Sequence, residues 1–214
     1  MSRLSDDMSR FILPRGVCLA DARDMADLER EAKRRRITDI DTICLHQMAC
    51  KNTSRGIQRW KGIECHWVVE LEDERAYLMH DLDKRLWHGH GFNFRSVGIE
   101  VEGYYAGVDG DLSTFWRPKE APDRQPMTLS CGMRAAIVAA IGATVDMVAA
   151  AGGEIKYIGA HRQSYGRKRS DPGSLIWQVA VLCQEALGLE EAPTLDKGRP
   201  IPEAWDPRNK GVEY

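Results

Sequence analysis

The chain has 214 residues, of which 43% are apolar and 29% charged, a composition that suits one globular domain with extensions. Its formal net charge of -2 gives no global field that would select nucleic acid or an anionic membrane. The start, MSRLSDDMSRFILPRGVCLA, lacks the apolar core of a signal peptide, and no uninterrupted apolar run is long enough to span a bilayer. The expectation is a soluble monomer, cytoplasmic as synthesised. Six cysteines (Cys18, Cys44, Cys50, Cys65, Cys131 and Cys183) form no CxxC pair and read as reduced structural residues.

Residues 21–36, DARDMADLEREAKRRR, predict an amphipathic helix with Met25, Leu28 and Ala32 on its apolar stripe. Acidic residues lead it and basic residues close it, as a helix dipole favours, so KRRR reads as a solvated helix end. Residues 39–46, DIDTICLH, predict a buried strand ending at His46. A polar loop follows. CHWVVEL and RAYLMH then predict two strands of a hairpin joined at EDE. LWHGHGFNFR is a loop rich in glycine and aromatic residues. SVGIEVEGYY predicts a strand with Glu100 and Glu102 on one face.

Residues 107–127 form a polar connection with three prolines. A long helix is expected over 128–151, with Thr128 or Ser130 as N-cap and Gly152-Gly153 as its stop. Its sequence is broken by Asp146 and reads as a buried helix. EIKYIGAH is another strand that ends in a histidine, His161, and residues 174–187 make the last helix. The division is an N-terminal extension over 1–37, a main domain over 38–187 and a C-terminal tail over 188–214 that wraps the surface or frays. Irregular alternation of strands and helices predicts an α/β fold, a central mixed sheet flanked by helices on both faces.

Two strands end in histidines, His46 and His161, and strand ends that lead into loops are where sites collect. A catalytic zinc takes three protein ligands and keeps one open position for water. His46, His161 and Asp171, the last on a loop returning to the same edge, suit that need. There are six histidines, however, and spacing alone does not select among them. His88-Gly89-His90 is an HxH pair of low specificity. His46 as a core histidine and Asp171 as a turn cap before Pro172 are the plain alternatives.

TICLHQ, HWVVELEDERAYLMHDLDKRLWHGHG, RSVGIEVEG and IGAHRQSYGRKRSDPG stand in this order over residues 38 to 177. Together they resemble the type 2 N-acetylmuramoyl-L-alanine amidases, relatives of the peptidoglycan recognition proteins and the phage lysozyme-type amidases. The resemblance implies one zinc ion held by His46, His161 and Asp171, and hydrolysis of the amide between N-acetylmuramic acid and L-alanine in peptidoglycan or a muropeptide. It implies Glu100 as general base, with Glu102 the weaker candidate. In many relatives a lysine stands two residues before the ligand aspartate. Here that position holds Arg169, with Lys168 one earlier, so either could serve as oxyanion donor.

Trp87 and His88 match an element that lines the substrate groove. Arg162, Arg167 and Lys168 suit stem-peptide carboxylates, with a solvated loop face as the competing reading. His66 is either site-lining or core, and His80 and His90 have no assignment. The implied setting is a phage or prophage endolysin, or a cytosolic enzyme of muropeptide recycling. Two rivals stand beside it: a recognition module that binds peptidoglycan without cutting it, and a nucleic-acid-binding protein using KRRR and GRKR, against which the near-neutral charge argues.

Overall fold

Alternation along the strands sorts the molecule into a core side and a site side. The computed structural model describes residues 18–28, 32–50, 56–117 and 121–209. Among them, seven strands form one sheet: β1 (Leu19–Asp21), β2 (Thr42–Gln47), β3 (Trp67–Val69), β4 (Ala76–Leu78), β5 (Ser96–Val101), β6 (Tyr157–Ala160) and β7 (Glu190–Glu191). Their order is β1-β4-β3-β5-β2-β6-β7. The hairpin β3–β4 is antiparallel, and the other neighbouring pairs are parallel. The expected mixed sheet is therefore present.

Parallel β2, β5 and β6 end at the same edge of the sheet. Register pairs His46 of β2 with Glu100 of β5. It also pairs Leu45 with Ala160 of β6, which brings His161 alongside His46. Three widely separated segments thus deliver their chemistry to one place.

Side chains alternate across a strand. Ile43, Leu45, Val97, Ile99, Trp67 and Val69 face the main core. That face is covered by the two long helices, α1 (Cys131–Ala150) and α3 (Ser174–Leu187). Cys44 and Val68 face the other way, where short 3-10 helices at Gly56–Trp60 and His90–Phe92 and the C-terminal segment cover them. A four-residue helix, α2 (His161–Ser164), follows β6.

Helix α1 begins where a cap is available: the Ser130 hydroxyl accepts the Met133 N–H at 3.1 Å. It ends at Ala150, before Gly152 takes a φ of +80°. By length and composition it is apolar enough to cross a membrane, with a mean hydropathy of 1.6. In this fold Met133, Ile137, Ile141, Thr144 and Val148 are buried at helical spacing. All six cysteines are free thiols.

The helix expected over 21–36 is corrected. Residues 29–31 lie outside the described residues, and no α-helix occurs in the described part of this stretch. Leu19–Asp21 instead pairs with β4, and Arg23–Met25 is a single 3-10 turn. Arg35 N–H donates to Asp83 O at 2.8 Å and Arg85 N–H to Lys33 O at 2.8 Å, so the basic run lies extended beside residues 83–85. The Arg35 guanidinium turns inward and donates to Leu82 O, Asn93 O and Ser96 O. Long-range pairing outweighs a marginal local helix, whose stability would have had to come from packing its apolar stripe.

The segment after α3 joins the body. Glu190–Glu191 adds β7 to the sheet, and Leu189, Ala192 and Trp205 are buried.

Candidate metal centre

His46, His161 and Asp171 come together at the shared edge. His46 Nδ1 and His161 Nδ1 are 3.0 Å apart, and His161 Nδ1 lies 3.1 Å from Asp171 Oδ2. All three side chains are buried. The loop between the two latter residues folds tightly on itself: Lys168 N–H donates to Tyr165 O, Asp171 N–H to Lys168 O, and Arg162 N–H to Asp171 O. The other carboxylate oxygen, Asp171 Oδ1, accepts the Gln47 N–H at 3.0 Å, which leaves Oδ2 turned to the histidines.

The ring nitrogens that face away from this cluster also have partners. His46 Nε2 lies 3.0 Å from His88 Nδ1. His161 Nε2 lies 2.8 Å from His90 Nδ1. When each Nε2 donates outward, both Nδ1 atoms present lone pairs to each other and to a carboxylate oxygen. Three acceptors turned on one point call for a cation, so the residues fit a zinc site of His, His and Asp type. Burial, reinforced by the neighbouring His161, His88 and Lys168, holds the His46 pKa well below its usual value and keeps the ring in the neutral, ligating form.

A second grouping with ligand spacing shares His46 and adds Cys44 and His88. Burial pushes the Cys44 thiol well above its usual range, with Asp171 and Cys65 adding to the effect. A protonated thiol is a poor ligand, so the His46–His161–Asp171 group is the better site.

Glu100 completes the centre. Its Oε1 stands 3.9 Å from His46 Nδ1, and its Oε2 has no hydrogen-bond partner among the described residues. Burial raises its pKa to about 8, Asp171 adds to the rise and Lys168 opposes it. The charge of Lys168 also lowers the pKa values of His46 and His90, so it is one of the cations felt at the centre. Lys168 and Arg169 are both exposed, and the Arg169 carbonyl accepts from Arg162 Nη1 at 2.5 Å. Glu102 turns elsewhere. Its Oε2 accepts the Leu71 N–H at 3.3 Å, at the end of the β3–β4 hairpin.

A cavity of about 770 Å³ opens beside Asp171. Arg162, Arg167, Lys168 and Arg169 line it, with Trp116 and Trp205 among its aromatic residues. The Arg162 guanidinium lies 4.9 Å over the Trp205 ring, and burial together with Arg199 lowers its pKa to about 10. Arg162 is therefore on the cavity wall.

Trp87 and His88, adjacent in sequence, point in opposite directions. Trp87 is 50% exposed and carries Arg85 at 5.1 Å over its ring, next to Phe94 on the side where β5 begins. His88 is buried beneath His46 rather than in the groove, and burial, then the charge of Arg35, lowers its pKa to about 3. His66 is a core histidine: its Nδ1 accepts the Gly98 N–H at 3.0 Å and its Nε2 donates to Lys84 O at 2.9 Å. His80 Nε2 donates to Ile63 O at 2.8 Å, away from the centre. His90, unassigned from the sequence, lies against His161. In the sequence, its visible signal is the HxH pair His88-Gly89-His90, a pattern of low specificity.

The family model described as N-acetylmuramoyl-L-alanine amidase matches residues 36–174. No curated protein matches the chain. Among solved structures, N-acetylmuramoyl-L-alanine amidase LysC from Clostridium intestinale URNW superposes with a TM-score of 0.53 at 15% identity, covering 80% of this chain and 98% of LysC. Bumblebee PGRP-SA gives 0.53 at 16% identity, covering 83% of this chain and 98% of its own. Drosophila peptidoglycan recognition protein SD gives 0.53 at 17% identity, over 84% and 99%. At such identities these structures establish the shared fold.

Proposed function

Because the chain belongs to the N-acetylmuramoyl-L-alanine amidase family, we propose that it is a zinc-dependent hydrolase that cuts the amide between the lactyl group of N-acetylmuramic acid and L-alanine. The observation that carries the reading is the convergence of His46 Nδ1, His161 Nδ1 and Asp171 Oδ2, with Glu100 3.9 Å from His46. Zinc, when bound, polarises the amide carbonyl and lowers the pKa of its water to about 7.

The chain's own groups supply the rest. Glu100 takes the proton of the attacking water and returns it to the departing amine of L-alanine. Its place 3.9 Å from His46, with Oε2 unpartnered among the described residues, suits that role. Lys168 stands as the positive charge for the oxyanion that forms as the carbonyl is attacked. The C–N bond breaks, leaving a lactyl carboxylate and a free α-amine. Arg162 and its neighbours on the cavity wall suit the carboxylates of an acidic stem peptide.

The fold is shared with peptidoglycan recognition proteins, so a module that binds without cutting is the rival. Zinc-loaded protein incubated with purified peptidoglycan separates the two. Release of new L-alanine amino groups is expected. Bound zinc and bound peptidoglycan with no such release would assign the chain to recognition.

A further inference from the structure

We propose that His88 and His90 are positioning residues, which orient the two ligand histidines from a single loop, His88 acting on His46 and His90 on His161. The inference rests on the zinc reading above. A histidine that ligates through Nδ1 carries its hydrogen on Nε2, and that hydrogen needs an acceptor where water cannot reach. His46 is wholly buried, and His88 Nδ1 is the acceptor, 3.0 Å away.

The donor direction continues outward. His88 Nε2 faces Ser96 Oγ at 3.4 Å, and Ser96 Oγ donates to Phe92 O at 2.8 Å. The chain ends at a backbone carbonyl, so each hydrogen has an acceptor. Reversing it places a hydrogen on His46 Nδ1 and closes the ligand position.

His90 does the same for the other ligand. Its Nδ1 lies 2.8 Å from His161 Nε2, and its ring stacks on Tyr165 with centroids 4.0 Å apart at 12°. To reach this position His90 adopts a φ of +50°, a conformation that L residues take rarely. The turn is closed around it: Gly89 N–H donates to Asn93 Oδ1 at 2.6 Å, Phe92 N–H to Gly89 O at 2.9 Å and Asn93 N–H to His90 O at 3.1 Å. Strand β5 leaves space for the arrangement, since a Cβ on Gly98 would stand 2.5 Å from His88 Nδ1. Neighbouring strands β2 and β6 put the two ligands side by side, and one HxH loop passing them supplies an acceptor to each.

The test is zinc affinity, read by competition with a chromogenic chelator, with the visible spectrum of the cobalt(II)-substituted protein as a second readout. His90→Phe keeps a ring for Tyr165 but has no acceptor, and His90 is exposed enough for the variant to fold. His90→Ala and His90→Phe should each weaken zinc by about 10–100-fold and alter the cobalt spectrum, with the metal-free melting temperature unchanged. His88→Gln, whose amide can accept and donate, should retain more affinity than His88→Ala. Tight zinc in wild type and equal affinity in His90→Phe would overturn the inference. A wild-type protein that takes up no zinc would overturn the zinc reading itself.

Discussion

His46 and Glu100 face each other across the parallel pair β2–β5, with His46 Nδ1 3.9 Å from Glu100 Oε1. The proposed ligand and the proposed base are therefore set by the register of two adjacent strands rather than by a loop. Registers slip only by moving whole strands, and a slip of one residue would turn both groups into the main core.

This placement separates metal binding from proton transfer. Glu100→Gln keeps the shape of the side chain but cannot take a proton. The variant should bind zinc at wild-type stoichiometry and lose about 10²–10⁴-fold in kcat. Metal content and turnover measured on the same preparation check it, and full activity would remove Glu100 from its role.

Removing a ligand has the opposite pattern. His161→Ala deletes one of three convergent atoms and removes the ring nitrogen beside Asp171 Oδ2. Zinc and activity should disappear together. Added zinc should raise the melting temperature of wild type and leave that of the variant unmoved, because only the form that binds gains stability.

Lys168 and Arg169 are neighbours on the wall of one cavity. The charge of Lys168 lowers the pKa values of Glu100, His46 and His90, which favours it as the proposed oxyanion donor. Lys168→Ala should cost about 10²–10³-fold in kcat, the scale of a lost oxyanion donor. Arg169→Ala should change KM at most. Rate constants for the two variants on one muropeptide decide between them, and equal losses would mean that both cations serve.

Glu102 makes a prediction about stability. It is buried, its Oε1 has no hydrogen-bond partner among the described residues, and its pKa is raised from 4.5 to about 7 by burial, partly offset by the Leu71 N–H. The folded protein therefore holds this proton more tightly than the unfolded chain does. The resulting stability is fully present below pH 4.5 and is lost as the pH rises through about 7. Glu102→Gln should leave the melting temperature unchanged at pH 4 and raise it at pH 8 by about 2–4 °C, the shift expected for about 1 kcal/mol in a domain of this size. Scanning both proteins at the two pH values checks the sign.

Much of the candidate centre was legible because His46 and Glu100 lie on strands and His161 directly follows one. Alternation in TICLH and EIKYIGAH marks buried strands, with His46 near the end of the first and His161 just after the second, so parallel pairing brings the two together. The order of motifs then selects Asp171. Other features depend on contacts that local pattern does not carry. Residues 21–36 have a helical stripe, yet the chain hydrogen-bonds to residues 78 and 83–85 instead. Trp87 and His88 look like one groove element, and only the fold shows that one points out and the other in. The choice between Lys168 and Arg169 as the proposed oxyanion donor depends on how the loop from His161 to Asp171 turns back, which its composition does not state.

The most direct test of the central claim is mass analysis of a defined muropeptide after incubation with zinc-loaded protein and with protein stripped by a chelator. The expected result is a split into an intact muramic-acid saccharide and a stem peptide with a free L-alanine amine, lost on stripping and restored by zinc. An uncut muropeptide with zinc bound, or a cut at any other bond, would contradict the account.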